Sequence, residues 1–216
     1  MSGSLPEPRV CIFDLDGTLV NSLRDIAESL NSCLDLLGLP THLVDSYRYM
    51  VGEGIPKLCQ RAVGASHPHL VQRLGELARA SYRTRALCHT RPYPGVSELI
   101  DRLRVRKIRL GVLSNKPHDL TVRVVQAFWP KPTFDVVCGY VDEEHRKPSP
   151  VCLRRMCEQL GVAPADTWLV GDTPTDIETA RAGGAVAIGV TWGFRTRADL
   201  EAAGAQRIVD RPEELP

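Results

Sequence analysis

The stretch VCIFDLDGTLVNS, residues 10–22, sets two carboxylates one residue apart, Asp14 and Asp16, directly after an apolar run. Two other apolar runs end in reactive or ligating residues: IRLGVL in Ser114-Asn115, and TWLV in Gly171-Asp172. Lys147 stands in RKPSP, just before a proline-started helix. Taken alone, Asp16-Gly17 is an ordinary turn dipeptide between apolar segments, and a purely structural role for the pair stays open. Carboxylates brought together repel, and at least one pKa rises unless a cation intervenes. Hard oxygen donors favour Mg²⁺, which takes a few carboxylates, water and a phosphate oxygen. A lysine and a serine hydroxyl do not suit a purely cationic site; they suit a second, anionic guest. Metal, carboxylates and a phosphate-sized anion together point to phosphoryl transfer.

A parallel sheet is what can bring such distant residues together. Val10, Cys11, Ile12 and Phe13 are β-favouring and apolar on both faces, the pattern of a buried strand. From about residue 95 the chain alternates helix and apolar strand: helices at 95–106, 117–128, 149–160 and 174–182 precede IRLGVLS, FDVVCG, TWLVGD and AVAIGV. That alternation means a parallel sheet covered on both faces. Its strands share one carboxyl edge, where ligands bind. Between about 21 and 89 the pattern is helical instead. Ile26, Leu30, Leu34 and Leu37 recur at helical spacing before Gly38 and Pro40, short helices are expected at 43–50 and 55–63, and the period continues through LVQRLGELARASYRTRAL. The expected fold is therefore α/β, with a helical module inserted after the first strand. The tail VDRPEELP reads as a final surface segment.

Composition excludes several classes. A chain of 216 residues with 43% hydrophobic and 25% charged content is globular, and a formal net charge of +1 gives no sign of a nucleic-acid partner. Seven cysteines, at 11, 33, 59, 88, 138, 152 and 157, form no CxxC pair, so reduced thiols and a cytoplasmic location are expected. MSGSLPEPRV has no apolar signal core, and no apolar stretch approaches the ~20 residues that cross a bilayer. No membrane partner is expected. His67-x-His69 has no acidic companion and supports no metal site; the histidines read as surface or capping residues.

DLDGTLVNS, LSNK, RKPSP and GDTPTD, in that order, resemble the four motifs of the haloacid dehalogenase superfamily. MVGEG, PYPGVSELIDRL and GVTWGF extend the resemblance over nearly the whole chain, and within the superfamily it is to the phosphoglycolate phosphatase-like branch. The resemblance implies a Rossmann-like core at 1–20 and 90–216, a helical cap at 21–89, and a small flap hairpin after Asp16. It implies Asp14 as nucleophile, forming an aspartyl-phosphate, and Asp16 as the acid that protonates the leaving group and later deprotonates water. Mg²⁺ would be held by Asp14, the backbone carbonyl of Asp16, and Asp172. Ser114, the amide of Asn115 and Lys147 would hold phosphoryl oxygens, although Ser114-Asn115 can also cap the following helix. The implied substrate is a small phosphorylated metabolite, 2-phosphoglycolate, and the implied assembly a monomer or homodimer.

Asp176, one helical turn after Asp172, is expected to fix a metal-bound water or to cap its helix. Thr18 is expected to support the Asp14 carboxylate. Gly52 and Gly54 either separate two helices or turn backbone amides toward the substrate. The 21–89 block carries eight Lys/Arg and six Asp/Glu, too balanced to identify a substrate. Asn21 stands where many relatives have Asp, and either residue caps a helix. A dehalogenase would not need Asp16 or GDTPTD, and a non-catalytic binding protein on this fold would be expected to lack one of the motifs. A pyrophosphatase or a sugar-phosphate phosphatase or mutase would keep all four motifs and differ only in the cap.

Overall fold

A computed structural model describes residues 5–130 and 132–216. Residues 1–4 of the segment read above for a signal core lie outside them. Six parallel strands form the central sheet: β1 (Val10–Phe13), β4 (Arg109–Pro117), β5 (Val136–Tyr140), β6 (Thr167–Gly171), β7 (Val186–Val190) and β8 (Arg207–Val209), in the order β5-β4-β1-β6-β7-β8. β1 is buried along its whole length, which explains its unbroken apolar run. The chain adds strands on one side of β1 and then on the other, so the crevice at their carboxyl ends opens beside β1.

Helices α4 (Val96–Val105), α5 (His118–Phe128), α6 (Val151–Gln159), α7 (Pro174–Gly183) and α8 (Arg197–Ala203) complete the core. The tail corrects the sequence expectation. Val209 and Leu215 are buried in the core cluster, and Arg102 holds the carbonyls of Pro212, Leu215 and Pro216. Three strand residues bracketed by polar positions carry too little periodicity to announce β8.

The helical block contains α1 (Leu23–Leu36), α2 (Ile55–Val63) and α3 (Val71–Arg85), with a 3₁₀ turn at Val44–Tyr49. Its apolar cluster, with Leu30, Leu34, Tyr47, Cys59 and Leu74 at the centre, also takes in Leu120 of α5 and Phe194. Entry and exit are joined by a two-stranded antiparallel ribbon, β2 (Val20–Asn21) with β3 (Arg91–Pro92). The segment after Asp16 is a compact turn, with the Thr18, Leu19 and Val20 amides all donating to the Leu15 carbonyl. Val20 pairs with Pro92 on the chain's return and also bridges back to Asp16, its carbonyl accepting from the Gly17 amide at 2.9 Å.

One buried carboxylate locks this junction. Asp25, 1% exposed, accepts from the His89 and Thr90 amides and from Thr90 Oγ1, the last at 2.7 Å. Asp25→Ala strands those donors in the interior and should lower unfolding free energy by roughly 2–4 kcal/mol. A urea titration showing a loss below about 0.5 kcal/mol would contradict that role.

All seven cysteines are free, and five are buried. No helix among the described residues is long and apolar enough to cross a membrane.

Candidate active site

Asp14, Ser114, Lys147 and Asp172, spread over the chain, meet at the carboxyl edge of the sheet. Asp14 follows β1 directly and its amide donates to the Val170 carbonyl of β6. Ser114 and Asn115 fall where the β4–β5 register breaks between Leu113 and Pro117, which takes residues 114–116 out of the regular ladder. Lys147 is 3% exposed, and its Nζ donates to Asp14 Oδ1 at 2.7 Å and to Asp176 Oδ1 at 2.6 Å. Oxygens of Asp14, Asp172 and Asp176 lie within 4.8 Å of one another, all three residues being buried.

Asp172 is held by neutral donors: Thr18 Oγ1 donates to Oδ1 at 3.0 Å and the Phe194 amide to Oδ2 at 2.8 Å. This corrects the expectation for Thr18, which supports Asp172 and not Asp14, because the compact turn folds it back toward the end of β6. The backbone comes close here. A Cβ on Gly17, whose φ is +99°, would sit 2.2 Å from Asp172 Oδ2. Asp176 caps its helix, Oδ2 accepting from the amide and hydroxyl of Thr173 in a capping box, while Oδ1 accepts from Lys147, a contact the sequence did not announce.

The electrostatic balance is lopsided. Three buried carboxylates face one ammonium. Burial pushes Asp14 up to about 7, with Lys147 opposing the rise and Asp176 and Asp16 adding to it. Burial, followed by repulsion from Asp14 and Asp176, raises Asp172 well above the ordinary carboxylate range. Lys147 resists burial and stays charged, its pKa raised by Asp14 and Asp176. An excess of buried anionic oxygen calls for a hard divalent cation, and the all-oxygen donor set fits Mg²⁺.

Asp16 faces elsewhere. Both its oxygens accept from Lys116 Nζ, at 2.6 and 2.8 Å, and Oδ1 also accepts from Ser22 Oγ at 2.6 Å. Its carboxylate is not in the acidic cluster. Lys116, part of LSNK but given no role by the sequence, is 7% exposed and also donates to Tyr82 Oη at 2.7 Å. Burial disfavours its charge, but Asp16 and Tyr82 more than offset that and raise its pKa. A signal existed: a strand alternation continued through 114–116 would put Lys116 on the side of Ser114. Ser22, freed from capping α1, serves Asp16, and Asn21 Oδ1 accepts from the Leu23 amide in its place.

The Asn115 side chain is a tie and not a helix cap. Nδ2 donates to the Gly52 and Lys147 carbonyls, and Oδ1 accepts from the Lys147 amide at 2.8 Å. Gly52 and Gly54 both have positive φ and line the cavity over Asp14. Their loop is fastened to the core by Asn115, by Arg146 to the Glu53 carbonyl, and by Arg195 to the Val51 carbonyl. The cavity runs from Asp14, Asp16, Ser114 and Lys116 up to α1, α2 and α3, and encloses about 80 Å³. His67 and His69 lie in and beside the 3₁₀ turn Pro68–Leu70 and belong to no metal cluster among the described residues.

A parallel sheet with an aspartate cluster at its switch point and a helical block over it defines a class of hydrolase. The family model of haloacid dehalogenase-like hydrolases matches residues 11–190, and the chain belongs to that family. It is 32% identical to a phosphoglycolate phosphatase of Chromobacterium violaceum, across 98% of this chain and 96% of that one. A phosphoglycolate phosphatase of Rhodospirillum rubrum is 35% identical, across 94% and 87%. The crystal structure of a predicted phosphoglycolate phosphatase from Haemophilus somnus superposes with a TM-score of 0.89 at 27% identity, covering 98% of this chain and 97% of that one.

Proposed function

We propose that this phosphomonoesterase hydrolyses 2-phosphoglycolate to glycolate and phosphate, through an aspartyl-phosphate on Asp14 and with Mg²⁺ as cofactor. The observation that carries the proposal is the charge imbalance at the sheet edge: three buried carboxylates and one lysine, with Ser114 lining the same cavity as the first of them. Asp14 and Asp172, with the carbonyl of Asp16, would hold Mg²⁺, which when bound shields phosphate charge from the carboxylates and polarises a phosphoryl oxygen. Asp176 lies close enough to orient a bound water. Asp14 attacks phosphorus, the P–O bond to the organic group breaks, and a proton passes to the departing oxygen. Water then attacks the same phosphorus and returns Asp14 to a free carboxylate.

Asp16 supplies the proton transfers. In its ion pair with Lys116 it is an anion, the form that accepts a proton from the attacking water. To act as acid in the first step it must first take up a proton, which a phosphate ester can bring, its second pKa being about 6. Ser114, the Asn115 amide and Lys147 bind phosphoryl oxygens. Lys147 is buried, and attraction to its two carboxylate partners fixes the ammonium beside Asp14.

The cavity favours a compact substrate. Its volume matches a handful of water molecules, and its upper wall is mostly apolar, with Ile26, Leu30, Ile55, Leu58 and Ala78 around the hydroxyls of Ser29 and Tyr82, which leaves few partners for a sugar's several hydroxyls. A panel of 2-phosphoglycolate, sugar phosphates and pyrophosphate, ranked by kcat/KM, should put 2-phosphoglycolate first by about tenfold or more, the worth of one well-made hydrogen bond to a charged group. Pyrophosphate or a hexose phosphate in first place would replace this substrate with a rival one.

A further inference from the structure

The upper wall of the cavity carries one polar group that the chemistry at Asp14 does not use. Ser29, on α1, is 2% exposed, and its Oγ has no hydrogen-bond partner among the described residues. A hydroxyl in that condition costs free energy unless something else meets it. Ser29 lines the same cavity as Asp14, Ser114 and Tyr82. α1 and α3 run antiparallel, with Ser32 Oγ 3.4 Å from Ser81 Oγ and Arg85 reaching Glu28 at 3.3 Å. In that register Ser29 stands level with Thr84, two residues along α3 from Tyr82, and Ser29 and Tyr82 both line the cavity. Tyr82 Oη accepts from Lys116 Nζ, and among the described residues its own proton has no acceptor.

We propose that Ser29 and Tyr82 form a subsite for the carboxylate of the substrate, on the wall that α1 and α3 give the cavity. This deepens the reading of the chain as a phosphatase of a small phosphorylated acid and rests on it. Two hydroxyl donors, one from each helix, match the two oxygens of a carboxylate. The ammonium behind Tyr82 polarises the phenol and makes it a stronger donor. The apolar residues around them, Ile26, Leu30 and Leu58, offer nothing to further polar groups on the guest. Selectivity then comes from the substrate satisfying a buried hydroxyl that is otherwise unpaired. An ester of the same length with a methyl group there leaves both donors empty.

The test compares 2-phosphoglycolate with ethyl phosphate, which lacks the carboxylate, in wild type, Ser29→Ala and Tyr82→Phe. The wild type should prefer 2-phosphoglycolate, and Ser29→Ala should lower the ratio of the two kcat/KM values by about 10- to 100-fold, the range of a hydrogen bond to a charged group. The loss should appear as a raised KM for 2-phosphoglycolate. Tyr82→Phe should lower the ratio in the same direction. Ser29→Ala deletes only an unpaired hydroxyl, so its melting temperature should not fall, which separates lost recognition from lost structure. A ratio within twofold of wild type in folded Ser29→Ala overturns the subsite. Hydrolysis of both esters without preference in wild type overturns the subsite and leaves the phosphatase reading standing. Turnover of neither ester overturns both.

Discussion

Asp14→Asn should abolish phosphatase turnover, with kcat falling on the order of 10⁴-fold or more, as expected when a covalent nucleophile is removed. The amide is nearly the same size as the carboxylate and cannot form the acyl phosphate. The fold should survive. The substitution removes one of three carboxyl groups buried together, and Lys147 keeps Asp176 as its partner. Its thermal transition without metal should therefore lie at or above that of wild type. Near-normal hydrolysis of p-nitrophenyl phosphate by this variant would reassign the nucleophile. Unfolding at room temperature would instead show that Asp14 is structural, as the turn-dipeptide reading of Asp16-Gly17 allowed.

Removing Mg²⁺ should be almost as severe. EDTA should silence the enzyme and excess Mg²⁺ restore it, with full activity in metal-free buffer contradicting the site. The same cluster predicts a pH signature in stability. Asp14 titrates near 7 in the folded, metal-free chain and Asp172 is also raised, against about 3.9 for an unfolded aspartate. Their folded-state preference for the proton is a stabilising contribution that is complete below about pH 4. It is lost as pH rises through about 7, where the buried groups must ionise. Mg²⁺ binds the ionised form, so its stabilising effect grows over the same window. At a hundredfold excess over its dissociation constant the ion contributes about 2.7 kcal/mol. For a chain of this size that is roughly 5–10 °C in melting temperature at pH 8, and clearly less at pH 5. An equal shift at both values would place the metal elsewhere.

The parts of this architecture that were legible in the sequence are those that local pattern encodes. Unbroken apolar runs marked β1, β4, β6 and β7 because a sheet covered on both faces leaves no polar side. Asp14, Ser114 and Asp172 were visible because each ends such a run, and parallel strands end at one edge. Contacts between segments distant in the chain were not legible. Nothing near Thr18 indicates that its hydroxyl reaches Asp172, and nothing near Asp25 indicates that it will receive the amides of His89 and Thr90. The alternation that sets Lys116 on the side of Ser114 does not name Asp16 as its partner, since the two are 100 residues apart in the chain. Phe194 acts through its backbone amide, for which side-chain identity is almost no guide.

Capturing the phosphoryl group on the protein tests the central claim most directly. 2-Phosphoglycolate labelled in its phosphoryl group, mixed with enzyme and Mg²⁺ and quenched in acid within a turnover, should leave label on the peptide bearing Asp14. Asp14→Asn should take up none. Hydrolysis at the normal rate with no labelled protein at any time, or label on a peptide without Asp14, would contradict the account.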